Sequence, residues 1–286
     1  MELNPNVDVL WIGIGNLLYT LGFITAIFYL LRARHHPRWL LYMLIAGGYA
    51  IQTYGLYLRG MEVQGCPTGN TFEIVQFVIW SLTFCFLVLG PAFRLSLFGF
   101  FTAGLAVMLS ILSYAIPAWD TPYPINASGA NPSVEFHASL AVFSYGIFGL
   151  LAVSSILYLL QNYSLKHHRW KGVFAFLPSL VESETMTLRM LAAGSGVLTV
   201  SLLVGSVYWI QNSAEVDSAK LVATVAVWLA YLVVLGLRLI NRLYAKRLAV
   251  TCIVLFFVAI LSIWPIDASR HSKAPSNAAT QLSPSE

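Results

Sequence analysis

The chain has 286 residues, of which 58% are hydrophobic and 10% are charged, and its formal net charge is +4. A soluble globular domain carries about 25% charged residues, so this composition excludes a soluble protein and predicts an integral membrane protein. The basic residues lie mainly in or beside the loops on one side of the predicted membrane domain. Membrane topology therefore accounts for the net charge, and no nucleic-acid partner is needed to explain it.

Eight apolar segments follow one another along the chain, each close to the roughly 20 residues that a helix needs to cross about 30 Å of hydrocarbon. They are residues 11–31, 39–58, 72–89, 95–116, 136–161, 188–210, 221–240 and 248–264. The segments are continuously apolar and do not alternate in ten-residue units, which favours helices over barrel strands. We therefore predict an all-α membrane domain of about eight transmembrane helices at residues 11–264. A short N-terminal segment, residues 1–10, precedes it, and a tail at residues 265–286, rich in Ser, Ala and Pro, is predicted to be disordered.

Lysine and arginine are distributed unevenly between the two sides of the predicted bundle. All except Arg59, Lys220, Arg270 and Lys273 lie in or beside the loops that follow the first, third, fifth and seventh segments. Loops rich in lysine and arginine face the cytoplasm. This rule predicts that both termini are extracytoplasmic.

His137 differs from the other five histidines in its position. It lies where a polar loop, residues 117–135, meets the uncharged stretch 138–165, whereas the others lie in basic or polar segments. Two interpretations stay open: a helix-start residue that bonds to nearby backbone, or a ligand. Aromatic and glycine residues near the outer face would suit a flat apolar macrocycle such as haem, whose iron takes an axial nitrogen from histidine. His137 is therefore the candidate ligand of a haem iron.

The remaining motifs narrow the function less. Cys66, Cys85 and Cys252 form no CxxC pair and no zinc-site spacing. Cys85 and Cys252 lie in apolar segments, where cysteine behaves as a small hydrophobe, while Cys66 lies in an outer loop as a free thiol or an ordinary loop residue. Small residues within the second and sixth segments, including Ser201 and Gly205, predict close packing of helices.

Four segments of the chain carry a resemblance to a known family. They read CPTGNTFEIVQFVIWSL at 66–82, HASLAVFSYGIFGLLAVSSILYLLQNYSLK from His137, LPSL at 177–180 and WLAYLVVLGLRLINRLYAKRLA at 228–249. These segments resemble the cytochrome c assembly protein family: haem-handling membrane proteins of the CcsA and CcmC type, together with the shorter, eight-span HemX-like members. The resemblance extends over about residues 39–260 and keeps the order of the segments.

The resemblance implies a haem held outside the membrane between two histidines that flank a tryptophan-rich loop. His137 matches the first of these histidines. The second is expected eight residues after Trp228, where this chain has Gly236, and a further family histidine corresponds to Gln52. Arg238 matches an arginine of the family.

The tryptophan-rich loop is reduced in this chain. Lys220 aligns with the lysine of the family's loop, and Asp217 places a carboxylate one position early. Trp209 is one of the two aromatic residues that this loop retains. The resemblance makes Trp209 a candidate contact of the cofactor. It makes Lys220 and Asp217, together with Glu73 on the same face, candidates for contacts with the haem propionates or with a partner.

The resemblance implies a haem-handling component of cytochrome c biogenesis in the bacterial inner membrane. Its partners would be haem, apocytochrome c and a periplasmic assembly protein, and it need not itself be an enzyme. The alternative is a HemX-like membrane partner that regulates a haem-biosynthesis enzyme, which it would contact through a cytoplasmic loop at Asn162 to Thr187 carrying Glu182 and Glu184. A small-molecule permease is disfavoured, because no charge lies deep in the segments and no repeat is visible.

Overall fold

The computed structural model of the protein describes residues 7–32, 38–93, 96–121, 132–167, 180–211, 218–243, 245–261 and 263. These residues form eight α-helices, a single 3-10 turn at Pro117–Trp119, and no strand. The α-helices are α1 Val7–Leu31, α2 Arg38–Val63, α3 Thr71–Phe93, α4 Ser96–Ala115, α5 Pro132–His167, α6 Leu180–Gln211, α7 Ser218–Leu239 and α8 Ala245–Leu261. The prediction of an all-helical protein is confirmed for this part of the chain, with one helix over each predicted segment.

Six of these helices are long and apolar enough to cross a bilayer: α1, α3, α4, α5, α6 and α7. α8 is short, with 17 residues, and α2 is less apolar because Gln52, Thr53 and several tyrosines interrupt it. That α2 and α8 also cross the bilayer stays a prediction, and so does the side of the membrane on which the termini lie.

Contacts between helix ends show that α2 runs antiparallel to α1 and α3, and that α7 runs antiparallel to α6. Arg59, near the end of α2, is bonded to Asp8 at the start of α1 and to Glu73 at the start of α3. At the opposite end of the bundle, Arg238 near the end of α7 is bonded to Glu184 at the start of α6. We call the first end, where α5 also begins, the His137 end, and the second the Arg238 end.

Several helices extend beyond the predicted segments, among them α1 at its start and α5 and α6 on both sides of the predicted cytoplasmic loop. α1 begins at Val7, so Asp8, predicted in the N-terminal segment, lies inside a helix and is buried. The loop predicted at Asn162 to Thr187 is helical at both ends, because α5 continues to His167 and α6 begins at Leu180. Polar residues end an apolar segment without ending the helix, and here Glu184 gains an ion pair from its helical position.

Glycine lets α1 and α2 approach closely. A Cβ atom on Gly48 would lie 2.6 Å from the ring of Tyr19 and 2.9 Å from the backbone oxygen of Gly15, so the two backbones meet where only glycine fits. α5 lies at the centre of the bundle, between α3, α6 and α8, and its Phe148 stacks on Tyr231 of α7 with ring centroids 3.6 Å apart. α7 is otherwise largely exposed, with Tyr231 and Val234 as its buried residues among those described.

Candidate functional site at His137

His137 lies in the second turn of α5, half-buried against α6. Its Nδ1 atom is 2.7 Å from the backbone oxygen of Ser201, and the Ser201 hydroxyl donates a hydrogen bond of 2.8 Å to the backbone oxygen of His137. A carbonyl oxygen can only accept, so Nδ1 of the neutral ring must carry the proton. Nε2 then keeps its lone pair, and it forms no hydrogen bond with any described residue.

Two further residues of α6 complete the surroundings of the ring. A Cβ atom on residue 205 would lie 2.6 Å from Nδ1, so the imidazole of His137 occupies the space that a side chain at Gly205 would fill. The indole of Trp209 meets the imidazole edge-on, with ring centroids 5.4 Å apart and an interplanar angle of 80°. Ser201, Gly205 and Trp209 are spaced by four residues and therefore share one face of α6. We call these three residues the His137 socket.

The socket contains one residue that the sequence predicted for a site and two that it assigned to packing. Trp209 was a candidate contact, and the structure places it against His137. Ser201 and Gly205 were predicted only to help helices approach each other. The sequence signal for this face of α6 is a serine, a glycine and a tryptophan at intervals of four residues. This pattern could have predicted that a ring from another helix packs there.

The other predicted site residues are not brought to His137 by the described structure. Asp217 lies outside the described residues. Lys220 lies in the first turn of α7, and its side chain is not among those described. Glu73 is buried in a separate cluster, where Oε1 is 2.7 Å from Arg59 Nε and Oε2 accepts a hydrogen bond of 2.7 Å from the backbone N–H of Gly69.

That cluster surrounds Arg59 with three carboxylates, which the sequence did not predict. Besides Glu73, the guanidinium binds Asp8 at 2.9 Å and also contacts Asp120. The side chains of Glu73 and Asp8 are only 1% and 5% exposed, so both carboxylates depend on Arg59 for compensation of their charge. The cluster joins α1, α2, α3 and the turn after α4 at the His137 end of the bundle.

Asn70 links this cluster to the start of α3. Its Oδ1 accepts a hydrogen bond of 2.8 Å from the backbone N–H of Glu73, and its Nδ2 donates to Asp120 at 3.2 Å. Asn70 is therefore the N-cap of α3, while Glu73, at the third helical position, accepts a hydrogen bond from the backbone N–H of Gly69, one residue before the N-cap. Among the described residues no three His, Cys, Asp or Glu side chains converge well enough to hold a metal ion, so we read the Arg59 cluster as an ion-pair network.

Cys66 lies in the loop between α2 and α3, on another side of α5. Its Sγ accepts a hydrogen bond of 3.1 Å from the Ser139 hydroxyl. Burial raises the pKa of the Cys66 thiol, the bond from Ser139 partly offsets this, and the Glu135 carboxylate adds to the increase in pKa. A thiol with a raised pKa is a weak nucleophile. The structure therefore favours the interpretation of Cys66 as an ordinary loop residue.

The two positions where the resemblance placed further histidines cannot bind iron here. Gln52 is fully buried among α1 and α3, where Oε1 accepts a bond of 2.8 Å from Tyr19 and Nε2 donates to the backbone oxygen of Gln76 at 3.1 Å. Gly236 is exposed near the Arg238 end of α7, at the opposite end of the bundle from His137. Position 236, where the second histidine of the family is missing in this chain, thus lies away from the His137 socket.

The arrangement at His137 fits one axial contact to a haem. The backbone oxygen of Ser201 fixes the Nδ1 proton, which is the partner that iron-binding histidines usually have, and it leaves Nε2 with a lone pair. Trp209 adds an aromatic surface beside the ring. Among the described residues, no second histidine shares this socket.

An all-helical bundle with six helices able to cross a bilayer is a multi-pass membrane protein. Residues 68–265, which include α3 to α8 and the His137 socket, match the family described as Cytochrome C assembly protein. The match covers more than half of the chain, so the chain belongs to the cytochrome c assembly protein family. Asp8, Gln52 and Arg59 lie outside the matched residues.

Three relatives are similar to parts of the chain. Protein HemX of Brevibacillus brevis is 30% identical over 161 residues, which are 56% of this chain and 58% of that protein. Protein HemX of Bacillus subtilis (strain 168) is 27% identical over 199 residues, 68% of this chain and 72% of that protein. An uncharacterized 28.8 kDa protein in a nifR3-like 5' region of Azospirillum brasilense is 33% identical over 103 residues, 35% of this chain and 38% of that protein.

Proposed function

We propose that this protein is a haem-handling component of cytochrome c biogenesis in the bacterial inner membrane, with His137 as the axial ligand of the haem iron. The observation that carries the proposal is the hydrogen bond from His137 Nδ1 to the backbone oxygen of Ser201, which leaves the Nε2 lone pair for a metal. Membership of the cytochrome c assembly family supports it, because the family as a whole handles haem.

Bound haem would supply the iron and the vinyl groups that become attached to cysteine thiols of an apocytochrome. The residues of this chain would hold it in place. His137 Nε2 would hold the iron, the Ser201 carbonyl would keep the imidazole in place, and Trp209 would pack beside the imidazole. Among the described residues, His137 would be the one side chain of the socket to supply a ligand to the iron.

The charged candidates are assigned to the edge of this site. Lys220 lies in the first turn of α7, at the same end of the bundle as His137. We propose that Lys220 and Asp217 contact the haem propionates or the assembly partner. Both carboxylate oxygens of Glu73 are already bonded in the Arg59 cluster. We therefore assign Glu73 a structural role at this end of the bundle.

The proposed topology puts the His137 end outside the cytoplasm. Arg238, Arg242, Lys246 and Arg247 lie at the opposite end, around the α7–α8 connection. The positive-inside rule places that end in the cytoplasm. Haem bound at His137 would then be on the side where a periplasmic assembly protein and apocytochrome c can reach it.

The test is the absorption spectrum of protein purified from haem-replete membranes. We expect a Soret band in the wild type and its loss in His137→Ala. The matched control is His167→Ala, which removes a histidine at the other end of the same helix α5 and should leave the band unchanged. A wild type that takes up no haem, either in cells or on titration with hemin, would rule out the proposed function.

A second candidate function is favoured by the likeness to two proteins named HemX. Here the protein would be a membrane partner of a haem-biosynthesis enzyme, contacted at the Arg238 end. Glu184 is bound by Arg238, while Glu182, in the first turn of α6, is exposed. This reading predicts that Glu182→Lys abolishes co-purification of a cytoplasmic enzyme while His137→Ala has no effect on it.

A further inference from the structure

The imidazole of His137 and residue 205 compete for one volume. The three atoms nearest to a Cβ built on Gly205 all belong to the His137 ring, at 2.6 Å for Nδ1 and 2.9 Å for Cε1 and Cγ. Atoms at such separations overlap. The imidazole is joined to the backbone of α5 through a single Cβ atom, so the ring has little freedom to move away from the added group. Any side chain at position 205 therefore displaces the imidazole from its present place.

The present place of the ring is also what determines its tautomer. At 2.7 Å, Nδ1 is within hydrogen-bonding distance of the Ser201 backbone oxygen, an obligate acceptor. The Ser201 hydroxyl lies 3.0 Å from Nδ1 but donates its proton to the backbone oxygen of His137. Both polar groups of Ser201 that reach Nδ1 are thus consistent with a proton on Nδ1, and with none on Nε2.

We propose that Gly205 and Ser201 are positioning residues that select the Nδ1–H tautomer of His137 and so present Nε2 as a metal ligand. The use of that ligand for haem iron rests on the proposed function. The choice of tautomer itself is a property of the protein without haem. Gly205 makes room for the ring, and the Ser201 carbonyl orients it.

The first experiment needs no haem. The protein is labelled with 15N-histidine, reconstituted in lipid bilayers at mildly alkaline pH, and examined by solid-state NMR. The His137 signals are identified as those that disappear in His137→Gln. We expect the proton on Nδ1 in the wild type, and a proton on Nε2 of His137 would overturn the proposal.

Gly205→Ala tests the role of the missing side chain, and Gly196→Ala is its matched control on the same helix. A Cβ on Gly196 meets no atom within 4 Å, so this substitution changes the same residue type in α6 without touching a neighbour. We expect Gly205→Ala to remove the Nδ1–H signature of His137 and Gly196→Ala to retain it. Retention in both variants would overturn the role of Gly205.

Ser201→Ala separates the two polar groups of Ser201. It removes the hydroxyl and keeps the backbone oxygen, so we expect the tautomer to persist. It also keeps the proposal testable if Gly205→Ala fails to fold, because a loss of the Nδ1–H signature in Ser201→Ala would show that the carbonyl does not orient the ring.

Hemin titration connects the tautomer to the proposed function. Loss of an outer partner of a metal-binding histidine typically weakens metal affinity by about 10–100-fold. We expect hemin affinity to fall by about this factor in Gly205→Ala and to be unchanged in Gly196→Ala. If the wild type shows the predicted tautomer but binds no hemin, the proposed function fails while the tautomer assignment stands. If Gly205→Ala changes the tautomer and hemin affinity is unaffected, the positioning role is overturned.

Discussion

Trp228 donates its indole N–H to the hydroxyl of Thr199 over 2.9 Å, and this bond sets the depth of α7 against α6. Thr199 lies two residues before Ser201, so Trp228 is at nearly the level of the His137 ring. Gly236 follows Trp228 by eight residues, which places it about 12 Å further along α7 at a rise of about 1.5 Å per residue. Position 236 is therefore offset along α7 from the level of the His137 ring, toward the Arg238 end of the bundle.

The position of α7 along α6 predicts the behaviour of Gly236→His. The introduced imidazole restores the residue that the family resemblance implies, yet position 236 is exposed, and a Cβ there meets no atom within 4 Å. We therefore expect the new side chain not to join His137 at one iron. We expect the hemin spectrum of the variant to equal that of Gly236→Ala, without the low-spin signal of two axial histidines. A low-spin signal that disappears when His137 is also replaced would show that our placement of α7 is incorrect.

Arg59→Gln should destabilise the protein strongly. The substitution leaves the buried carboxylates of Asp8 and Glu73 without their cation, and breaking a buried ion pair from one side costs about 3–5 kcal/mol. Thermal unfolding in detergent micelles measures the effect. Glu62→Gln is the control, because Glu62 lies in the next turn of α2 and is exposed; its midpoint should stay at the wild-type value. Equal midpoints for the two variants would contradict a structural role of the Arg59 cluster.

Gly48→Ala should destabilise the contact between α1 and α2. The added methyl group would lie 2.6 Å from Tyr19 and 2.9 Å from the backbone oxygen of Gly15, which cannot move aside. Such overpacking costs about 1–3 kcal/mol.

The neighbouring Gly47→Ala is the matched control. Its Cβ would meet only Leu18, at an ordinary 3.5 Å, and alanine favours a helix over glycine by up to about 1 kcal/mol. We expect a lower unfolding temperature for the first variant and an unchanged or higher one for the second. The reverse order would mean that the α1–α2 interface is not where the structure places it.

Cys66 should react slowly with alkylating reagents, with a pH dependence that reports its surroundings. Burial raises the pKa of the thiol above the ordinary 9.0, so at pH 8 a smaller fraction is thiolate than in the unfolded chain, and the thiolate is the reactive form. The rate should therefore increase with pH to a midpoint above 9.0.

Mass spectrometry of the Cys66 peptide measures this rate apart from the other two cysteines. Ser139→Ala removes the hydrogen bond that lowers the pKa, so its midpoint should lie higher than that of the wild type. A midpoint below 9.0 in the folded protein would contradict the buried environment of the thiol.

The sequence predicted the helices well because each arises from a continuous apolar segment, which is a local property. The Arg59 cluster was not predictable in the same way. Asp8, Arg59 and Asp120 are far apart in the chain, and each looks like an ordinary loop charge until the helices are packed. α1 likewise begins before its apolar segment and includes Asp8, whose buried charge Arg59 compensates.

Some residues of the candidate site could likewise be predicted from the sequence, and others could not. His137 could be chosen from its position at the edge of an apolar segment, and Trp209 from the resemblance. Ser201 and Gly205 could not, because small residues at helical spacing predict close packing whether the neighbour is another backbone or an imidazole. The two cases differ in the group that packs against the small residues, and the three-dimensional structure shows that at Gly205 this group is the imidazole of His137.

The space shared by His137 and residue 205 has a consequence for how sequences of this kind can diverge. The His137 ring occupies the space of a side chain at position 205, so the two positions are sterically coupled. A substitution at one of them therefore restricts which residues fit at the other. In related chains we therefore expect a histidine at this place in α5 to occur together with glycine at the facing place in α6. Where a larger residue stands there, the histidine should be absent or turned away, so this pair of positions would sort chains with a presented imidazole from chains without one.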